Sequence, residues 1–308
     1  MATTAPTGAC RGGVALVTAS VARDLDDDLP PLAAALGRRG IAHELVDWDD
    51  ASADWGRFDL AIVRSVWDYP RRREELLAWA DRVAAVTRLL NPPPILRWSS
   101  DKRYLAELAR AGVPVVPTAF AEPGEAMSWP DAGEIVVKPV VSAGSLDTER
   151  HPAARPAEAR AHVARLHAQG RTAMAQPYMA AVEEAGETAM VHIGGSFSHA
   201  VRKGPLLVPG LQIVGGLFVE EDIAPAAPTP DQAAVARAAL AAVPGGAEDL
   251  LYARVDLVPG PDGHPVVIEL ELLEPSLFLA HAPAAADRLA AAIAERLSRR
   301  RTSSSAPG

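Results

Sequence analysis

The sequence predicts an α/β protein built in lobes: an N-terminal domain with a parallel sheet, followed by α+β lobes. Three observations carry this. Between residues 14 and 86, buried-type strands alternate with helical segments. A proline run, "NPPP" at 91–94, interrupts that pattern. Beyond it hairpin signals appear, around Gly194-Gly195 and around Asp262-Gly263.

Taken in order, "VALVTAS" (14–20) reads as a buried strand. The acidic loop "RDLDDDLP" leads into the helix "PLAAALGRRG", which Gly40 ends. "IAHELVDW" and "FDLAIVRSVWDY" are the next strands, and "RREELLAWADRVAAV" the next helix. In such a domain the carboxyl ends of the strands carry the ligand-facing residues. "RSVWDYP" sits at one of these ends. After the proline break, Ser99 or Ser100 caps a helix with Asp101 and Lys102 in its first turn. Tyr104, Leu105 and Leu108 form its apolar stripe, Gly112 ends it, and "VPVVPT" leads into a strand. "EIVVKPV" is a strand, "VSAGSLDTER" a loop, "PAEARAHVARLHAQG" a helix and "TAMAQPYM" a strand. The hairpin "ETAMVHIGGSFSHAVRK", the helix "TPDQAAVARAALAAV", a second hairpin and an Ala-rich helix from about Pro283 complete the chain.

At 308 residues, with 49% hydrophobic and 22% charged residues, this is the composition of a soluble globular protein. A net charge of -9 disfavours nucleic acid or an anionic membrane as partner. The single cysteine, Cys10, excludes an internal disulfide. "GGVALVTASV" is too short for a membrane helix and lacks the basic segment of a signal peptide. A cytoplasmic protein is therefore the default. Its oligomeric state is open, a homo-oligomer included. His192, His199, His264 and His281 lack metal-ligand spacing and read as structural, His281 bordering the site. Trp48, Trp67 and Trp98 read as packing residues.

The last hairpin carries the strongest chemical signal. In "VVIELELLEPSLFL" (266–279) three acids, Glu269, Glu271 and Glu274, interrupt a very apolar run. Side chains alternate along a strand, so Glu269 and Glu271 share one face while Ile268, Leu270 and Leu272 take the other. In "LYARVDLV" Tyr252, Arg254, Asp256 and Val258 share a face. A turn centred on Asp262-Gly263 pairs Asp256 with Glu269 and Arg254 with Glu271, and an asymmetric bulge would break those pairs. Three clustered acids fit either a solvated edge strand or a hard cation such as Mg²⁺. Lys138 inside "IVVKPV" is either a snorkelling lysine or an anion ligand. Lys102 opposes the helix dipole unless an anion offsets it. "VVSAGS" is a simple turn, or a loop whose amides approach phosphate.

The order of these features resembles the ATP-grasp ligases over about residues 91–280, most specifically in "ARVDLV…VVIELELLEPS". The resemblance implies five segments: a tail at 1–12, an N-terminal α/β substrate domain at 13–98, a central lobe with a phosphate-covering loop at 99–180, a metal-bearing lobe at 181–300, and a tail at 301–308. It implies ATP and Mg²⁺ as cofactors. Asp256, Glu269 and Glu271 would hold Mg²⁺. Lys102 and Lys138, with Ser142, Gly144 and Ser145 of the loop, would contact phosphates. Gln176, Pro177 and Tyr178 would read adenine through backbone groups, and Glu184 would meet the ribose. Arg254 and Lys203 would stabilise the transferring group. Arg64, Asp68, Tyr69 and Ser276 would meet a small amino-acid-like carboxylate. There are departures: the family's usual Asn is here Glu271, and its "D-x-R" position reads "ETA" (187–189). "SAGSLDT" and "ELELLEPSLFL" resemble the branch that includes O-ureido-serine cyclo-ligases of cycloserine biosynthesis. The implied reaction is activation of a carboxylate as an acyl phosphate, then attack by nitrogen. On that branch the product is D-cycloserine from O-ureido-D-serine. The alternatives are an intermolecular carboxylate–amine ligase and a nucleotide-binding module without catalysis.

Overall fold

The structure is a computed structural model that describes residues 12–205, 207, 213–214, 217–219 and 222–304. Cys10 and residues 1–11 and 305–308 of the expected tails lie outside the described residues. The first lobe holds β1 (Val14–Thr18), α1 (Leu29–Arg38), β2 (His43–Asp47), β3 (Leu60–Ser65), α2 (Arg73–Ala84) and a short β4 (Arg88–Leu90). Its strands form a parallel sheet in the order β2-β1-β3-β4. Both faces of β1 and β3 are buried, which is why they read as unbroken apolar runs. Leu16 and Ile62 pack towards α1, and Val17 and Val63 towards α2. The C-terminal helix (Ala285–Ser304) returns to cover the α1 side through Leu289 and Ile293. It extends four residues into the segment read as a tail.

Two short helices follow the proline break, α3 (Pro93–Ser99) and α4 (Tyr104–Arg110). This corrects one expectation. Ser99 closes α3 and Ser100 is its C-cap, while Lys102 lies in the turn before α4. The Asp101 carboxylate accepts from the Arg103 amide there, so Lys102 is held by a turn and does not oppose a helix dipole.

The second lobe contains β5 (Ala119–Ala121), β6 (Glu134–Pro139), β7 (Glu149–Pro152), α5 (Pro156–Ala168) and β8 (Ala173–Pro177). Its antiparallel sheet runs β5-β8-β6-β7. The third lobe contains α6 (Val182–Ala185), β9 (Glu187–Ile193), β10 (Ser196–Lys203), the two-residue strands β11 (Ile213–Val214) and β12 (Phe218–Val219), β13 (Ile223–Ala226), α7 (Pro230–Ala241), β14 (Tyr252–Pro259) and β15 (Pro265–Glu271). Its antiparallel sheet runs β13-β10-β9-β14-β15. The Thr229–Gln232 capping box starts α7. That helix packs Ala236, Ala239 and Leu240 with Val255, Leu257, Val267 and Leu270. The edge of β15 is not left to solvent. Val267 donates to Pro114 O, Val116 donates to Val267 O, and the Leu270 amide donates to the Tyr104 hydroxyl.

The expected cross-strand pairs are present: Asp256 faces Glu269 and Arg254 faces Glu271. They arise differently from the expected symmetrical turn. The register shifts by one residue between Asp256 and Leu257, so that Leu257 pairs with Val267 and Ile268 is bulged out. The tight loop places a Gly260 amide on His264 O and Gly263 at φ 80°. The bulge has a consequence for the faces: Ile268 does not join Leu270 in the core but lies on the cavity side with Glu269.

Candidate functional site

A cavity of about 540 Å³ lies between the carboxyl edge of the parallel sheet and the sheets of the other two lobes. Trp67 and Tyr69, just past β3, and Leu25 to Asp28, past β1, form one wall. This is where a parallel sheet presents ligand-facing loops.

One end of the cavity is apolar. Val136, Met179, Val182, Val258 and Ile268 line it with Pro177 and Tyr178. The Arg150 guanidinium lies 3.6 Å from the Tyr178 ring centroid and keeps the ring in place. Gln176 is buried and donates to Thr118 Oγ1 at 2.9 Å. The Tyr178 amide donates to Glu134 O. The slot suits a flat, weakly polar ring.

The other end carries charge. Lys102 Nζ donates to Ser142 O at 2.8 Å and Ser142 Oγ at 3.0 Å, and lies 3.0 Å from Glu269 Oε1. Tyr69 also donates to Ser142 O, at 3.3 Å. Lys138 is buried and has no hydrogen-bond partner among the described residues. Burial pushes its ammonium below the ordinary lysine range, and Glu269 partly offsets this. Gly144, Ser145 and Asp147 all have positive φ, so the loop between β6 and β7 is sharply bent beside these lysines. A polyphosphate would meet two lysines and a loop of small residues here.

The acids of the hairpin stand opposite. Lys203 Nζ lies 2.9 Å from both Glu187 and Asp256. Arg254 reaches both Asp256 oxygens at 2.9 Å, and also pairs with Glu271. Burial opposes ionisation of Asp256, but Arg254 and Lys203 together hold its pKa at about 2. Glu269 is likewise held below the usual range by Lys102 and Lys138 against the effect of burial. Glu271 is different: burial, with Glu269 and Asp256 nearby, raises it to about 7 despite Arg254. Glu274 is raised well above the carboxylate range by burial and by Glu271. The hairpin therefore holds more acid than its cations balance, the condition in which a hard cation binds. Glu269 and Glu271 are 25% and 23% exposed towards the cavity and can turn oxygens to such an ion. Asp256 is only 2% exposed, its carboxylate engaged by Lys203 and Arg254.

Of the residues singled out from the sequence, Lys102, Lys138, Ser142, Gly144, Ser145, Gln176, Pro177, Tyr178, Lys203, Arg254, Glu269, Glu271, Tyr69 and Ser276 line one cavity. Asp256 lies directly behind Arg254 and Lys203. Three others lie elsewhere. Arg64 is 1% exposed and serves the fold, donating to Pro275 O at 2.9 Å and pairing with Asp28. Asp68 accepts from Trp48 Nε1 and Arg72. Glu184 is exposed on α6, and its carbonyl accepts from Arg202. Each belongs to a loop, strand end or helix beside the cavity, and none of the three lines it. Five acids went unassigned in the sequence: Asp26, Asp27, Asp28, Glu187 and Glu274 all line the cavity. Asp26 Oδ2 is buried without a hydrogen-bond partner among the described residues. The legible signal was the acid run "LDDDLP" directly after the first strand.

Comparison with known proteins agrees with this arrangement. Residues 14–91 match the family model described as "D-cycloserine synthetase DcsG, N-terminal domain". The chain is 43% identical over 300 residues to the cycloserine biosynthesis protein DcsG of Streptomyces lavendulae, covering 93% of this chain and 99% of that one. It superposes on the crystal structure of D-cycloserine synthetase DcsG with a TM-score of 0.84 at 42% identity, covering 93% of this chain and 100% of that one. A D-alanine–D-alanine ligase from Bacillus anthracis, solved in complex with ATP, superposes with a TM-score of 0.65 at 16% identity, over 95% of this chain and 99% of that one. The fold is that of the ATP-grasp ligases.

Proposed function

Because this chain belongs to the D-cycloserine synthetase family and is an ATP-grasp carbon–nitrogen ligase, we propose that it closes O-ureido-D-serine to D-cycloserine with ATP as the activating substrate. The observation that carries the proposal is the joining, in one cavity, of an apolar slot, two lysines beside a small-residue loop, and an over-acidic hairpin.

In this reading adenine enters the slot between Tyr178, Val258 and Ile268. The triphosphate runs towards Lys102, Lys138 and the loop at Ser142–Ser145. Glu269 and Glu271, with Asp256 behind them, would hold Mg²⁺, whose role is to neutralise charge on the phosphate being transferred. The substrate carboxylate would lie against Arg254 and Lys203. Its ammonium is matched by the acids Asp26 and Asp27 on the opposite wall. Asp28 is not available for this, since its oxygens accept from the Leu277 and Leu279 amides.

The carboxylate oxygen attacks the γ-phosphorus, and ADP leaves. Lys102 and Lys138 stabilise the phosphate oxygens as charge spreads over them. Arg254 and Lys203 orient the resulting acyl phosphate. The ureido nitrogen bonded to the side-chain oxygen attacks the acyl carbon and phosphate departs. The ring closes with the advantage of an intramolecular attack, the nitrogen gives up its proton, and after phosphate has left water hydrolyses the carbamoyl group off as carbon dioxide and ammonia. The loop at 142–148 keeps water from the acyl phosphate. The product is small and amino-acid-like, and the reaction suits a cytoplasmic enzyme. No helix among the described residues is long and apolar enough to cross a membrane.

The test is ADP release with O-ureido-D-serine as sole amino-acid substrate. ADP formed in step with a five-membered-ring product is the expected result. Activity only with pairs of amino acids would replace this reading with an intermolecular ligase.

A further inference from the structure

A second cluster of ligand-type side chains lies on the opposite face of the β5–β8 sheet. Glu149 and His151 alternate on β7, opposite Val137 and Ile135 of β6. Those two residues pack with Ala159, Val163 and Leu166 under α5. Arg150, between the two ligand types, points the other way onto Tyr178. His162 arrives from α5. His151 Nε2 and His162 Nδ1 are 3.1 Å apart, and Glu149 Oε2 lies 3.7 Å from the first and 3.8 Å from the second. A tetrahedral ion with bonds of about 2.0–2.1 Å sets its ligands about 3.3 Å apart. The three donors need to move by only about half an ångström to meet that.

Another bond holds the carboxylate in place. Glu149 Oε1 accepts from Arg165, which leaves Oε2 turned to the histidines. Bonds of this kind fix the orientation of metal ligands. The two rings are 4% and 2% exposed, while the carboxylate is 46% exposed, so a fourth position can take water.

We propose that Glu149, His151 and His162 form a second metal site, for a borderline ion of the Zn²⁺ class. Two imidazoles and one carboxylate suit such an ion. Mg²⁺ prefers oxygen ligands throughout. None of the three residues lines the cavity, but Thr148, which precedes Glu149, does. Because Glu149 directly follows the 142–148 loop and His162 comes from α5, the ion ties the end of that loop to β7 and α5. The role assigned is structural.

The test uses the full chain, stripped by a chelator and then dialysed against Zn²⁺ or Co²⁺ in excess Mg²⁺ to occupy the hairpin acids. The expected result is one equivalent of Zn²⁺ and, for Co²⁺, the visible absorption of a four-coordinate ion. His162→Gln should abolish both. Glu149→Gln, at a half-exposed position that should not disturb folding, should weaken binding by at least about ten-fold. No stoichiometric binding by the parent chain overturns the proposal, as does binding undiminished in Glu149→Gln.

Discussion

Asn91 offers a direct test of how the lobes are fixed around the cavity. It is 0% exposed. Its Nδ2 donates to Tyr252 O at 3.0 Å and Leu272 O at 2.8 Å, and its Oδ1 accepts from the Leu251 amide at 2.8 Å. One side chain thus ties the end of the first lobe to β14 and to the residue after Glu271. Asn91→Ala removes three buried bonds to backbone groups. At about 1 kcal/mol for each, the loss is about 3 kcal/mol, unless water enters and restores part of it. Equilibrium urea unfolding should show this as a lower midpoint with an unchanged slope. Asn91→Asp separates hydrogen bonding from packing. The introduced carboxylate accepts from Leu251 but faces two carbonyls it cannot serve, so at pH 8 this variant should be less stable than Asn91→Ala. Those carbonyls raise the pKa of the new carboxyl in the folded state. Protonation therefore favours the fold, and the deficit should shrink as pH falls towards 5. A loss under about 1 kcal/mol for Asn91→Ala, or an Asn91→Asp variant no worse than Asn91→Ala at pH 8, would refute the clamp.

Two further outcomes follow from the charged end of the cavity. Burial raises the Glu271 carboxyl to about 7 in the folded protein, above the ordinary carboxylate range. The stability it contributes is present at low pH and lost as pH rises through that window, so Glu271→Gln should flatten the fall in Tm between pH 5 and pH 8 measured without nucleotide. A parallel shift of both curves would contradict this. Lys138 is a desolvated cation without a hydrogen-bond partner among the described residues. Lys138→Met should leave Tm unchanged or raised yet weaken ATP binding by at least about ten-fold, measured by calorimetry. Unchanged ATP affinity would remove Lys138 from the phosphate site.

The parts of this fold that were legible are those where burial is periodic. β1 and β3 are covered on both sides and read as solid apolar runs. The hairpin separates Arg254 and Asp256 from Val255 and Leu257, and its cross-strand partners could be named residue by residue. The parts that were not legible depend on single backbone decisions. The Ile268 bulge is written in no local pattern, since valine and isoleucine fill either face equally well. It turns Ile268 into the cavity while preserving the acid pairs. Arg64 looked like a ligand because it stands at a strand end. Its burial follows from Pro275 O and Asp28, which lie 211 residues later and 36 residues earlier in the chain. No window of sequence contains both. Lys102 lines the cavity, but the helix start expected around it is a turn, because "WSSDK" fits a helix start as well as a helix end followed by a turn.

The charges in the cavity also bear on the proposed pairing of a polyphosphate with a hard cation. Lys102, Lys138, Lys203 and Arg254 face Glu187, Asp256, Glu269, Glu271 and Glu274. Within this set, Asp256 stays ionised because two cations touch it, whereas Glu271 and Glu274 are pushed towards protonation. A polyphosphate alone would draw Lys102 from Glu269 and leave the acids less balanced. A divalent cation alone would sit near Lys203 and Arg254, which repel it. Bound together, the phosphates take the lysines and the cation takes the released carboxylates, so each replaces the partner the other removes. The structure thus predicts positive linkage: each ligand should bind more tightly in the presence of the other. Calorimetric titration of ATP with and without Mg²⁺ measures it, and equal affinities would show that the two sets of charges act independently.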